Sequence, residues 1–202
     1  MTADPRLSRA VELLERSLGH TRTALAAVRP AHLHRPTPCA RWDLDDLLWH
    51  MDDALDAFTE ASAGLVATTP VRTPGSVAEP GVEARLGRLQ RKACHLLGLW
   101  AALPRTTPVL VGDLPMDAPL LVGTAALEIT VHGWDVGQAT GEGGAVPADL
   151  AAALLPVAAL TVRPTDRGRR FAAPLLLPGG VPADLRLLAL LGRTPRSLTD
   201  AA

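Results

Sequence analysis

Leucines return three or four residues apart in three long runs of this chain, and prolines stand at the borders of the runs. That pattern demands helices that each bury one face. In the first run, Leu7, Val11, Leu14, Leu18 and Leu25 share a face. Asp4 followed by Pro5 is a helix start, a capping carboxylate with proline at the first helical position. The spacing predicts a helix over 5–28, ended by Arg29 and Pro30. Asp43 caps a second helix, with Asp46 at its third position in a near-capping-box arrangement. Its stripe is Leu44, Leu47, Leu48, Met51, Leu55 and Phe58. A third helix aligns Val82, Leu86, Leu89, Ala93, Leu96, Leu97 and Trp100. Pro119 opens a fourth that reaches Gly141, a suitable stop. Pro147 opens a fifth, which Pro156 must kink or end. A last short helix is expected over 182–192.

The intervening stretches have a different character. PAHLHRPTPCARW is proline-rich and without period, so it reads as an irregular loop. Residues 64–80, with Pro70, Pro74, Gly75 and Pro80, read as a surface crossover without a core of their own. Val109–Val111 reads as a short strand and Phe171–Leu177 as a second one. A chain of 202 residues with 48% hydrophobic content buries one sizeable core. The expected fold is therefore mainly α: a helical bundle over 1–142 and a helical and β annex over 143–202, packed on it as one compact unit.

Composition removes several function classes. The net charge of −1 leaves no basic footprint for nucleic acid, and Arg167, Arg169 and Arg170 read as a solvated loop. No run approaches ~18 apolar residues, so no membrane span is expected. The opening MTADPRLSRAVELLERS carries charges where a signal peptide needs an apolar stretch, so a cytoplasmic location is expected. Two cysteines cannot frame a domain of this size; Cys39 and Cys94 read as free thiols, Cys39 as a turn residue after Pro38. There is no tyrosine, hence no phenol acid. No phosphate loop, G-x-S-x-G elbow or Cys/His nucleophile pair is present, which argues against nucleotide-dependent transfer and serine hydrolysis.

The fourth helix carries the chemistry. Glu128 and His132, four residues apart in AALEITVHGWDVG, stack on one face and can chelate one ion. Spacing alone settles nothing: chance supplies ~0.6 such acidic-to-His pairs here, and Asp46 with His50 is another. Context adds weight, because Glu128 and His132 sit mid-helix among apolar neighbours, where ionisable groups need partners. His50 lies at the edge of the second helix's stripe and can face the same interior. A divalent ion held by His50, Glu128 and His132 satisfies all three. Two imidazoles suit a borderline ion, zinc first and nickel second. Asp135, three residues after His132, is either a support behind that ligand or a helix-surface acid. Asp46 reads as a cap. His32 and His34 read as exposed imidazoles in a loop, and His95 as solvated. The four tryptophans read mostly as core, with one of them available to wall a pocket.

The stretches TPCARWDLDDLLWHM, EITVHGWDVGQATG and FAAPLLLPGGVPADLRLLALLGRTP resemble the DinB-like family. More narrowly, they resemble its actinobacterial branch of mycothiol-dependent maleylpyruvate isomerases and related metal-binding proteins. Nineteen arginines against the single Lys92 suit a high-GC source of that kind. The resemblance implies an antiparallel four-helix bundle with metal ligands at His50, Glu128 and His132. It also implies a metal-dependent enzyme that activates a low-molecular-weight thiol, mycothiol, for S-transfer or isomerisation of a small-molecule substrate. A hydrolase or cyclase activating water or a carbonyl, and a non-catalytic metal-binding module, are the alternatives. Either a monomer or a homodimer is compatible with the sequence.

Overall fold

The computed structural model describes residues 4–39, 42–66, 81–103, 109–111, 114–168 and 170–195. Four long helices form its body: α1 (Pro5–Leu25), α2 (Leu44–Ser62), α3 (Val82–Ala102) and α4 (Ala118–Thr140). The expected caps are in place. Asp4 accepts from the Arg6 N–H at 2.7 Å, and Asp43 from the Asp46 N–H at 2.9 Å. Gly141 ends α4 with φ +81°, a conformation that glycine adopts without strain.

Contacts between the helices set their directions. Arg6 pairs with Asp117 just before α4, and Thr21 Oγ1 donates to the Ile129 carbonyl at 2.7 Å, so α1 and α4 run parallel. Arg85 pairs with Asp45, Arg88 with Asp52 at 3.0 Å, and Trp100 Nε1 donates to the Phe58 carbonyl at 3.1 Å, so α2 and α3 also run parallel. His50 meets Glu128, while Arg35, ahead of α2, reaches the Thr140 carbonyl, so the two parallel pairs are mutually antiparallel. This up-down-down-up order needs a long crossover between α2 and α3. Of the expected crossover, residues 67–80 lie outside the described residues. Its beginning is more ordered than expected, because Leu65–Val66 forms strand β1.

β1 pairs parallel with β2 (Val109–Val111), which pairs antiparallel with β3 (Leu114–Met116). The expected strand at 109–111 is therefore present, inside a three-stranded sheet that follows the C-terminal ends of α2 and α3. The strand expected over Phe171–Leu177 is replaced by an extended segment with one isolated bridge, Arg167 to Phe171, and one hydrogen bond from Leu175 N–H to the Ala189 carbonyl. It follows α5 (Ala148–Thr161) and precedes α6 (Ala183–Leu190). Helix α5 continues past Pro156 for five more residues, so the proline does not end it. Helix α4 is buried on nearly every side, and Leu14, Leu44, Leu47, Leu89, Leu96 and Leu150 are fully or almost fully buried in the core it shares with the other helices. Helices α1, α2 and α5 pack directly on it, while α3 packs on α1 and α2 and α6 on α5.

Candidate metal centre

The first half of α2 and the middle of α4 bring three ionisable side chains together. His50 Nε2 lies 2.9 Å from Glu128 Oε1, and His132 Nε2 lies 3.2 Å from the same oxygen. One ligand atom from each of the three falls within 4.8 Å of the others. Helix periodicity puts Glu128 and His132 on one face, and the antiparallel crossing of α2 supplies His50 opposite them. The two imidazoles meet edge to face with ring centroids 4.9 Å apart.

Behind His132 stands a second set of groups. Its Nδ1 is 3.0 Å from Asp135 Oδ2, a carboxylate with no solvent exposure. Arg193, also buried, donates to Asp135 from Nη2 at 2.9 Å and from Nε at 3.4 Å. Cys39 donates from Sγ to Asp135 at 3.4 Å and receives the Arg193 Nη2 contact at 3.1 Å. A second candidate cluster, Cys39, His132 and Asp135, thus shares His132 with the first. The guanidinium occupying it already supplies the positive charge that a cation would bring.

The charges are strongly coupled. Burial opposes ionisation of Glu128, yet the charge and hydrogen bond of His132, with the His50 contact, hold its carboxyl well below the usual range. Burial likewise opposes charge on His132, but Glu128 and the hydrogen bond to Asp135 outweigh it and raise the imidazole well above its usual value. Asp135 is held low against its burial by His132 and Arg193. Without an ion, the proton on His132 neutralises a carboxylate-rich centre. A divalent cation can take over that work, so the donor set fits such an ion.

The cluster opens onto a cavity of about 570 Å³. Trp42 forms one wall, its ring 4.6 Å from that of His50. Cys39, Arg170, Phe171 and Arg193 also line it. Trp42 is thus a tryptophan that walls this cavity, whereas Trp100 and Trp134 are buried. Arg170 faces the cavity and Arg167 bonds the Ala172 carbonyl; Arg169 lies outside the described residues. His34 is exposed beside Asp43, His32 Nδ1 accepts from the Arg29 N–H, and His95 is exposed, so none of them joins a ligand cluster. Asp46 contributes its N–H to the Asp43 cap. Cys94 is exposed, but Cys39 is more than a turn residue. Cys39 and Arg193 are the site residues that sequence reading missed.

Comparison with known proteins identifies the family and the fold. The family model of the mycothiol maleylpyruvate isomerase N-terminal domain matches residues 14–137. Two uncharacterized proteins of Mycobacterium tuberculosis, from strains CDC 1551 and H37Rv, are each 29% identical over 175 residues, covering 85% of this chain and 91% of the relative. The crystal structure of a histidine-to-alanine mutant of the mycothiol-dependent maleylpyruvate isomerase superposes with a TM-score of 0.56 at 16% identity. That match covers 79% of this chain and 71% of the isomerase, and it supports the same fold. The segment matched by the family model carries α2, most of α4 and all three residues of the cluster, and the chain belongs to the mycothiol maleylpyruvate isomerase N-terminal domain family.

Proposed function

We propose that the chain is a mycothiol-associated, isomerase-like enzyme acting on a small molecule, with one divalent ion held by His50, Glu128 and His132. A single observation carries the reading. Two imidazole nitrogens and one carboxylate oxygen converge within 4.8 Å on the wall of a cavity of about 570 Å³, a size that suits a small organic ligand. Three protein donors leave a position open, as catalytic rather than structural sites do. Zinc is the first choice of ion and nickel the second. Such an ion lowers the pKa of a thiol and so supplies a thiolate at neutral pH.

The chain's own residues prepare that chemistry. With an ion bound, Asp135, accepting from Nδ1–H of His132, would select the tautomer whose Nε2 lone pair is free for that ion. Glu128 brings one negative charge, which leaves a dication with charge to spare for an anionic sulfur. Trp42 packs its ring against that of His50 and supplies an apolar wall beside it. The thiol then serves S-transfer, or isomerisation by reversible addition to a conjugated double bond. Residues 1–142 and 143–202 act as one unit, because Arg193 of the annex reaches Asp135 of the bundle. A cytoplasmic location goes with this reading; among the described residues no helix is long and apolar enough to cross a membrane.

Elemental analysis of the purified protein tests the ligand set. One divalent ion per chain is expected in the wild type, and loss of it in His132→Ala. Full occupancy in His132→Ala would overturn the assignment.

A further inference from the structure

The proposed chemistry leaves one nucleophile of the cavity wall without a task. Cys39 Sγ stands on the Nδ1 side of His132, 4.0 Å from that nitrogen, whereas the candidate ion belongs to the Nε2 side. The thiol therefore lines the cavity outside the His50, Glu128 and His132 set. Its place is fixed. The Cys39 N–H donates to Thr37 Oγ1 at 3.2 Å, and its carbonyl accepts from the Trp42 N–H at 2.8 Å. Arg193 donates to the sulfur from Nη2 at 3.1 Å, and is itself held by Asp135 and, through Nη1, by the Leu191 carbonyl at 3.2 Å. The chain's other cysteine offers a contrast: Cys94 on α3 is exposed and has no such partner among the described residues.

We propose that Cys39 is a modification site, thiolated by the disulfide form of the low-molecular-weight thiol that the cavity takes in its reduced form. The inference rests on the reading of this cavity as a thiol site. The step is thiol–disulfide exchange. Cys39 Sγ attacks one sulfur of the small disulfide; a new S–S bond forms and the old one breaks. The second half leaves as a thiol, carrying the proton that Cys39 gives up. The small disulfide is the only oxidant the step needs. Negative charge spreads over the sulfurs in the transition state, and a guanidinium fixed at 3.1 Å stabilises it. The cavity of about 570 Å³ accepts the attached half between Trp42 and Phe171. That half then occupies the space which His50 and His132 line, so the ion stays while reduced thiol is shut out. The site thus closes when the thiol pool is oxidised, and reduction of the mixed disulfide reopens it.

Treating the ion-loaded full chain with mycothiol disulfide, then alkylating free thiols and mapping peptides by mass, tests the proposal. An adduct of one thiol less two hydrogens is expected at Cys39, forming about tenfold faster than at Cys94 although Cys94 is the more exposed, and removed by dithiothreitol. Arg193→Gln should slow Cys39 toward the Cys94 rate, and Arg193→Lys, which keeps the charge, should recover most of the difference. An unchanged circular dichroism spectrum checks the fold of each variant, and the wild-type comparison of the two cysteines decides without them. The modified wild type should keep its ion by elemental analysis and lose the metal–sulfur signal that reduced mycothiol gives in X-ray absorption. The two readings fail separately. A chain whose ion binds reduced thiol but whose Cys39 stays unmodified overturns this proposal alone. Modification of Cys39 in a chain whose ion never meets sulfur overturns thiol activation by the ion and leaves the modification standing. Cys94 reacting first, or a Cys39 rate indifferent to Arg193→Gln, would also overturn the proposal.

Discussion

Both ring nitrogens of His132 are occupied, and the two sides belong to different parts of the chain. Nε2 faces Glu128 and His50, while Nδ1 faces Asp135, whose buried charge is matched by Arg193 from the segment after α6. Removing either support leaves a buried charge unpaired and the imidazole free to turn. Asp135→Asn and Arg193→Gln are expected to weaken divalent-metal binding about 10–100-fold, measured by competition with a chromophoric chelator. Unchanged affinity in both variants would show that neither residue orients His132. His20 on α1 behaves differently. Burial lowers its pKa below the usual 6.5, and its Nε2 has no hydrogen-bond partner among the described residues. A histidine whose folded pKa is depressed contributes stability above its unfolded pKa and loses it as pH falls through the folded one. Urea unfolding should therefore show the wild type losing more stability than His20→Gln between neutral and mildly acidic pH. Parallel pH curves for the two proteins would contradict this.

Helix α4 carries three glycines, Gly123, Gly133 and Gly137, that leucine counting passes over. A Cβ on Gly133 would sit 2.3 Å from Thr21 Oγ1 and 3.0 Å from the Thr21 backbone, so α1 rests directly on the α4 backbone there. Gly133→Ala is expected to destabilise the fold by about 1–3 kcal/mol in chemical unfolding, because the backbone of α1 must move. Thr21→Ala in the same chain should rescue only part of the loss, since the α1 backbone still stands in the way. An unchanged midpoint for Gly133→Ala would show that the helices do not touch at this point. The helices were legible in the sequence because apolar period, caps and prolines coincide at their borders. The sheet was legible only at Val109–Val111; β1 and β3, of two and three residues, are too short to show a period. Phe171–Leu177 has strand-like residues, but among the described residues no strand pairs with it, so propensity alone misled. His50, Glu128 and His132 stood out because ionisable groups interrupt apolar helix faces. Cys39 and Arg193 did not, because each lies in irregular chain where no period marks which way a side chain points.

At the scale of the molecule, two parallel helix pairs set antiparallel to each other place α2 across the middle of α4, and the crossing point is where the ionisable groups gather. The sheet follows the far end of α2, and the extended segment with α6 covers the near side, contributing Phe171, Ala172 and Arg193 to the cavity wall. Among the described residues, none of the three-stranded sheet lines that cavity. The central claim is that the ion at this crossing meets a thiol. X-ray absorption on the zinc-loaded protein, with and without saturating mycothiol, tests it most directly, and Cys39→Ser run in parallel excludes the protein's own sulfur. The account predicts a sulfur neighbour near ~2.3 Å that appears only with the thiol, in both proteins. A shell of nitrogen and oxygen unchanged by the thiol would contradict it.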